Sequence, residues 1–251
     1  MSVRYEREGP VAWVTIDRPE ARNALNEAVR TGLFDAVARF NGDDAAVLVL
    51  TGAGDQAFCA GGDLKEMAEL ALEVPPPDFL PIFGRNVTVD KPTIAAVNGV
   101  ALAGGFLLAQ MCDLCIAAEH ARFAITEPKV GRGAPWAMPL PWLIPPRVAL
   151  ELLLTAEPID AARAYDVGLV NRVVPGDELH ATVQTVAETI ASNAPLSVRA
   201  AKAMVYRAAV GHREDELAIA DAIWEPVYRS EDAQEGPRAF GERRPPQWKG
   251  R

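Results

Sequence analysis

The stretch Pro92 to Ala118, PTIAAVNGVALAGGFLLAQMCDLCIAA, decides how the rest of the chain is read. Pro92 to Val97 is a short apolar run closed by Asn98-Gly99, which predicts a buried strand. The glycine-bearing turn NGVALAGG follows, then the apolar run FLLAQM, read as a helix, and then a second strand in DLCIAA. Strand, glycine turn, helix and strand in such close order point to an α/β arrangement.

Working upstream, Ala46 to Thr51 (AVLVLT) is another buried strand, followed by the loop GAGDQAFCAGG and a helix that starts at Asp63. Asp63 and Glu66 have the spacing of a capping box, so their expected task is to start that helix. Further back lie a short strand around Val3 to Glu6, the strand VAWVTI at Val11 to Ile16, and a helix from about Asn26. Val29, Leu33, Val37 and Phe40 share one face of that helix. Downstream, RFAI gives a strand and TEPKVGRGAPW an irregular segment. From Pro141 helices dominate apart from a strand at Leu169 to Val174, and the last helices are read over Pro195 to Ala209 and Glu214 to Arg229. Val74 to Pro81 holds four prolines and reads as a surface excursion. The expected division is an α/β core over residues 1–194 and a helical C-terminal subdomain over 195–251; no internal repeat is visible in the sequence.

The chain has 251 residues, 49% hydrophobic and 24% charged, which suits one large domain with an ample core. No stretch is long and apolar enough for a membrane helix, and Met1 to Arg7 carry charge without the apolar run of a signal peptide. The three cysteines, Cys59, Cys112 and Cys115, suit reduced thiols and hence a cytoplasmic protein. A formal charge of -9 argues against nucleic-acid or anionic-membrane partners, and any polyanionic ligand must be met by a local basic cluster.

Several short motifs are weak. Gly52-Ala53-Gly54-Asp55-Gln56-Ala57 matches a loose dinucleotide fingerprint, yet the loop runs on to Gly62 instead of opening a helix at its glycines. Cys112-Asp113-Leu114-Cys115 lacks the second pair that a zinc site wants, so no metal is expected and the cysteines read as small buried residues. None of the serines lies in a G-x-S-x-G elbow. Two glycine turns remain, Gly61-Gly62 and Gly104-Gly105, each after a strand and before a helix. A helix start offers unpaired N–H groups, and glycine lets a ligand atom come close to them. Two such starts at one point would make an anion site, although each turn alone is more often simply a turn.

These turns also carry a wider pattern. AFCAGGDLKEM and PTIAAVNGVALAGGFLLAQMCDLCIAA resemble two blocks of the enoyl-CoA hydratase/isomerase (crotonase) family, and DRPEARNALN, ARFAITEPKVG and ARAYDVGLVNRVVP extend the resemblance through most of the chain. It implies an α/β fold, a crotonase-like spiral of β-β-α turns with a helical C-terminal trimerisation region. It implies a homotrimer or a hexamer built as a dimer of trimers. It also implies an acyl-CoA thioester substrate with no separate cofactor, coenzyme A being part of the substrate. The implied oxyanion donors are the backbone N–H groups of Gly62 and Gly104, and the implied coenzyme A contacts are Arg18, Arg22, Ala60 and Lys65, with Lys249 from this or a neighbouring subunit.

The pattern breaks at one position. Hydratases of the family use two glutamates; one is present as Glu127, while the other position is Leu107. Leu107 can neither accept a proton nor hold a water. A single base can still lift a proton from one carbon and return it to another, so the resemblance favours double-bond isomerisation over hydration. An atypical hydratase in which Arg132 helps to position water, or a non-catalytic acyl-CoA binder, are the alternatives. The segment GRGAPWAMPLPW replaces the family's glycine-rich stretch, and Trp136, Met138 and Trp142 there read as an apolar wall or as core packing.

Overall fold

In a computed structural model the described residues are 2–70, 75–208, 225–226 and 229–251. Val74, where the expected proline-rich excursion starts, and most of the expected helix over Glu214 to Arg229 lie outside them. Six strands form the larger sheet, in the order β1-β2-β3-β5-β7-β10. They are β1 (Val3–Glu8), β2 (Val11–Ile16), β3 (Val47–Gly52), β5 (Thr93–Val97), β7 (Leu114–Ala118) and β10 (Arg172–Val174). β1 is the antiparallel edge and the other pairings are parallel. The smaller sheet has the order β4-β6-β8-β9, from β4 (Ala57–Cys59), β6 (Val100–Leu102), β8 (Arg122–Ala124) and β9 (Ile159–Asp160).

The chain alternates between the sheets. β3 leads to β4, β5 to β6, and β7 to β8, so each turn of the spiral adds one strand to each sheet. The first two turns close with helices α2 (Leu64–Glu69) and α3 (Gly104–Gln110). This structural repeat leaves no sequence repeat because the smaller-sheet strands are three residues or fewer.

Parallel strands covered on both faces read as continuous apolar runs, which is why β2, β3 and β5 were legible. Ala12, Val14, Leu48, Leu50, Ala95 and Val97 face the main core, where α1 (Glu27–Gly42) contributes Val29, Leu33, Val37 and Phe40. Val11, Trp13, Val47, Val49, Ile94 and Ala96 face the other way, against Leu179, Val183 and Ala187 of the helix Leu179–Ala191. Beyond that helix, another runs over Pro195–Ala208, and a last described one over Glu231–Glu242. No described helix is long and apolar enough to cross a membrane.

Three expectations shift in detail. The strand expected from Leu169 begins at Arg172. Gly104 and Gly105 lie inside the first turn of α3 and not before it. Asp63 does cap α2, accepting from the N–H groups of Lys65 at 3.2 Å and Glu66 at 3.4 Å, but Glu66 does not complete a capping box. Its carboxylate accepts instead from the N–H of Glu27 at 2.7 Å and from the buried Arg30 guanidinium at 2.5 Å. A cationic donor out of water outcompetes the neutral N–H of Asp63, and that N–H bonds to Leu25 O at 3.3 Å.

The corner between β6 and α3 is strained. Ala103 has φ 50° and ψ -118°, a conformation that glycine takes easily and a side chain with a Cβ takes at a cost of about 1–3 kcal/mol. Replacing it with glycine adds about 0.4–1 kcal/mol of unfolded-chain entropy, which is the smaller effect. Ala103→Gly should therefore raise the thermal unfolding midpoint by a few degrees in calorimetry. A lower midpoint would mean that the residue is not held in this conformation.

Candidate active site

The two glycine turns come together. A Cβ placed on Gly61, which has φ +94°, would lie 2.8 Å from the Ala103 side chain and 3.4 Å from the Gly104 nitrogen. One placed on Gly104 would lie 2.8 Å from Leu25 and 3.8 Å from Gly61 Cα. One on Gly105 would lie 2.0 Å from Cys59 O, so α3 rests its first turn directly on the end of β4. The segment at Leu25 completes the junction: Leu25 N–H donates to Gly61 O at 2.8 Å, and Ala60 N–H donates to Arg22 O at 3.0 Å. Among the described residues, neither the Gly62 N–H nor the Gly104 N–H has a protein acceptor. Donors fixed in place before a reaction begins are what stabilises charge developing on an oxygen.

Glu127 follows the strand of the smaller sheet that bonds to this corner. Ala103 N–H bonds to Ala124 O at 3.0 Å, and Glu127 opens a short 3-10 turn immediately beyond β8. It is 8% exposed. Its Oε1 accepts from the indole Nε1 of Trp136 at 3.0 Å, while Oε2 is buried with no donor among the described residues. Burial raises its carboxyl pKa above the ordinary value; its hydrogen bonds, including that from Trp136, pull the other way without cancelling the effect. Since Trp136 occupies Oε1, the proton or the free lone pair is presented at Oε2. A carboxyl with its pKa raised in this way is a chemically suitable acid or base. Leu107, facing the core at 3% exposure, supplies no second titratable group.

The basic positions behave differently from one another. Arg18 is committed inward, donating to Ala24 O at 2.9 Å and pairing with Asp63 at 3.2 Å. Arg22 is exposed and lines a small cleft of about 150 Å³ with Pro19, Asn23, Gly54, Asp55 and Gln56. Lys65 is exposed at the start of α2, and Ala60 is half-buried beside Gly61. Lys249 pairs with Glu231 at 2.8 Å, so a phosphate would have to compete with that carboxylate for it.

Two residues here escaped the sequence. Gln110 was read as part of an apolar helix, yet its Nε2 donates to Trp136 O at 3.1 Å and its Oε1 is buried without a donor among the described residues. Trp136 was read as apolar wall or packing, and its indole N–H proves to be the donor that orients Glu127. Met138 and Trp142, read the same way, are 77% and 56% exposed and line no wall among the described residues. The three cysteines are buried, and loss of water pushes the Cys59 and Cys115 thiols up to about 12, which disfavours their thiolates.

Comparison with known proteins gives one consistent result. The family model described as enoyl-CoA hydratase/isomerase matches residues 6–251. A protein of Salmonella typhi named carnitinyl-CoA dehydratase is 38% identical, over 100% of this chain and 99% of its own length. A probable enoyl-CoA hydratase/isomerase from Mycobacterium abscessus superposes with a TM-score of 0.89 at 40% identity, covering 100% of this chain and 99% of that one. An enoyl-CoA hydratase from Mycobacterium tuberculosis H37Rv does so with a TM-score of 0.89 at 38% identity and the same coverage.

The buried carboxyl also makes stability depend on pH. With its folded pKa raised, Glu127 holds its proton more tightly in the folded state than in the unfolded one. Its contribution is thus present at low pH and lost as pH rises through the raised value. Melting curves from pH 4 to 8 should show the Glu127→Gln protein gaining on the wild type as pH increases, by a few degrees. Parallel curves would show that the carboxyl is not desolvated.

Proposed function

The chain belongs to the enoyl-CoA hydratase/isomerase family, and on that premise we propose that it moves a proton at the α carbon of an acyl-CoA thioester. Glu127 is its one acid–base group, and the N–H groups of Gly62 and Gly104 hold the enolate oxygen. The observation that carries this reading is the asymmetry of the pair: Glu127 is buried with Oε2 open, and Leu107 stands where a second carboxylate would be needed to hold water.

The balanced reaction is a double-bond shift. Glu127 as carboxylate takes a proton from C2 of a 3-enoyl thioester. The electron pair delocalises onto the thioester oxygen between the two backbone donors, and the same proton returns to C4 to give the 2-enoyl product. Raising the carboxyl pKa suits a group that must both take and give this proton. Each backbone donor is worth on the order of 3 kcal/mol to such a transition state. Coenzyme A would lie along the first loop, with exposed Arg22 and Lys65 toward its phosphates and Ala60 against its backbone. Lys249 joins them if it exchanges Glu231 for phosphate. Arg18, already paired with Asp63, helps to shape the loop. A trimer or dimer of trimers in the cytoplasm completes the proposal, and the exposed Trp142, Leu150 and Leu154 are apolar surface that such an assembly would cover.

A second reading has its own support. The Salmonella relative is named a dehydratase, so loss of water from a 3-hydroxyacyl-CoA, or its reverse, is the other outcome, with Arg132 beside Glu127 as the polar group near the water. Product analysis by NMR and mass spectrometry separates the two. Conversion of 3-enoyl-CoA to 2-enoyl-CoA without incorporation of water is expected, falling about 100-fold or more in Glu127→Gln while ligand affinity stays within a few-fold. Hydration of 2-enoyl-CoA would establish the second reading. Turnover untouched by Glu127→Gln would remove the mechanism.

A further inference from the structure

Helix α3 carries a buried acceptor that a proton shift does not use. The Gln110 amide donates from Nε2 to Trp136 O at 3.1 Å. That carbonyl can only accept, so the amide cannot be turned over, and Oε1 is left buried with no donor among the described residues. Trp136 also donates from Nε1 to Glu127 Oε1 at 3.0 Å, leaving Glu127 Oε2 in the same condition. One tryptophan therefore holds two open oxygens. It is itself packed on α3 through Phe106, with ring centroids 5.9 Å apart.

An acceptor left dry in this way costs about 1–3 kcal/mol. Leu in place of Gln110 would avoid that cost, as Leu107 does one turn earlier. The two residues are three apart and share a face of α3, with Leu107 nearer to Gly104. Gln110 stands six residues from Gly104, about 9 Å along the helix, which puts it within reach of an acyl chain that runs along α3 away from a thioester held at Gly104. A plain hydrocarbon chain filling that space would expel water and strand Oε1. A chain with a hydrogen-bond donor there would satisfy it.

We infer that Gln110 Oε1 receives a hydrogen bond from the acyl group itself, and that the substrates preferred by this site carry a hydroxyl or N–H donor beyond the β carbon. Gln110 is thus a specificity-determining residue, and Trp136 fixes the direction of its carbonyl. This rests on the acyl-CoA reading above and adds the polarity of the acyl chain to it.

The test compares two ligands that differ by one hydroxyl, trans-4-hydroxybut-2-enoyl-CoA and trans-but-2-enoyl-CoA. Their dissociation constants are measured by titration calorimetry on full-length protein carrying Glu127→Ala, so that no turnover accompanies binding. With Gln110 present, the hydroxylated ligand should bind about tenfold more tightly, the worth of one buried hydrogen bond. Adding Gln110→Met should abolish the preference while leaving the parent ligand bound at least as well. Equal affinities with Gln110 present would overturn the inference without needing the second variant, as would a preference that survives Gln110→Met. If both ligands bind equally, the acyl-CoA reading stands and the role of Gln110 falls; if neither binds, both fall.

Discussion

The contact between the turn at Gly61 and the first residues of α3 governs the placement of everything else in the site. A Cβ on Gly61 would come within 2.8 Å of the Ala103 side chain and 2.9 Å of Leu102 O, and one on Gly105 within 2.0 Å of Cys59 O, so neither position admits a side chain. Such close approach brings together two N–H groups that belong to different turns of the spiral. It also forces Ala103 into a conformation with positive φ, the strain the fold carries to close that corner. Surrounding bonds hold the junction from outside. Leu25 spans Gly61 and Asp63, and Arg30 joins Leu25 O to Glu66 while lying over the Phe79 ring at 4.2 Å.

The second constraint is loss of water around Glu127. A carboxyl at this depth with no partner for one oxygen favours its neutral form, and a chain selected for stability alone would not keep it. Trp136 manages the arrangement by taking one oxygen and leaving the other. The loop between Glu127 and Trp136 is therefore more than a connection. It carries the proton-bearing group and its orienting donor on adjacent short 3-10 turns.

How far the sequence could be read follows from element length and from range of contact. The central strands β2, β3 and β5 of the larger sheet are five or six residues of mainly apolar character, and the sequence delimits β2 at both ends, whereas the edge strand β1 is largely charged. The smaller sheet consists of strands too short to impose a period, so the sequence itself shows only β8, through RFAI, and the spiral that pairs these strands comes from family resemblance. Gly62 and Gly104 could be picked out because glycine after a strand has a local reason. Their meeting could not be read, since it joins residues far apart in the chain. Gln110 was hidden by its neighbours: in FLLAQM one polar residue looks like a helix end, and its partner Trp136 is 26 positions away. Trp136, Met138 and Trp142 looked alike in sequence and differ in burial, because one of the three turns inward onto Phe106.

Family membership makes this chain an enoyl-CoA hydratase/isomerase relative, and the chemistry proposed for it rests on a single carboxyl, Glu127, with Leu107 in place of a second. The decisive observation is exchange of the α protons of butyryl-CoA with solvent in deuterium oxide, followed by proton NMR, since it needs neither a double bond nor water addition. Deuterium should enter C2 in the presence of the wild-type protein and fail to do so with Glu127→Gln, which should still bind the ligand. Exchange at an undiminished rate in Glu127→Gln would contradict the one-carboxyl account.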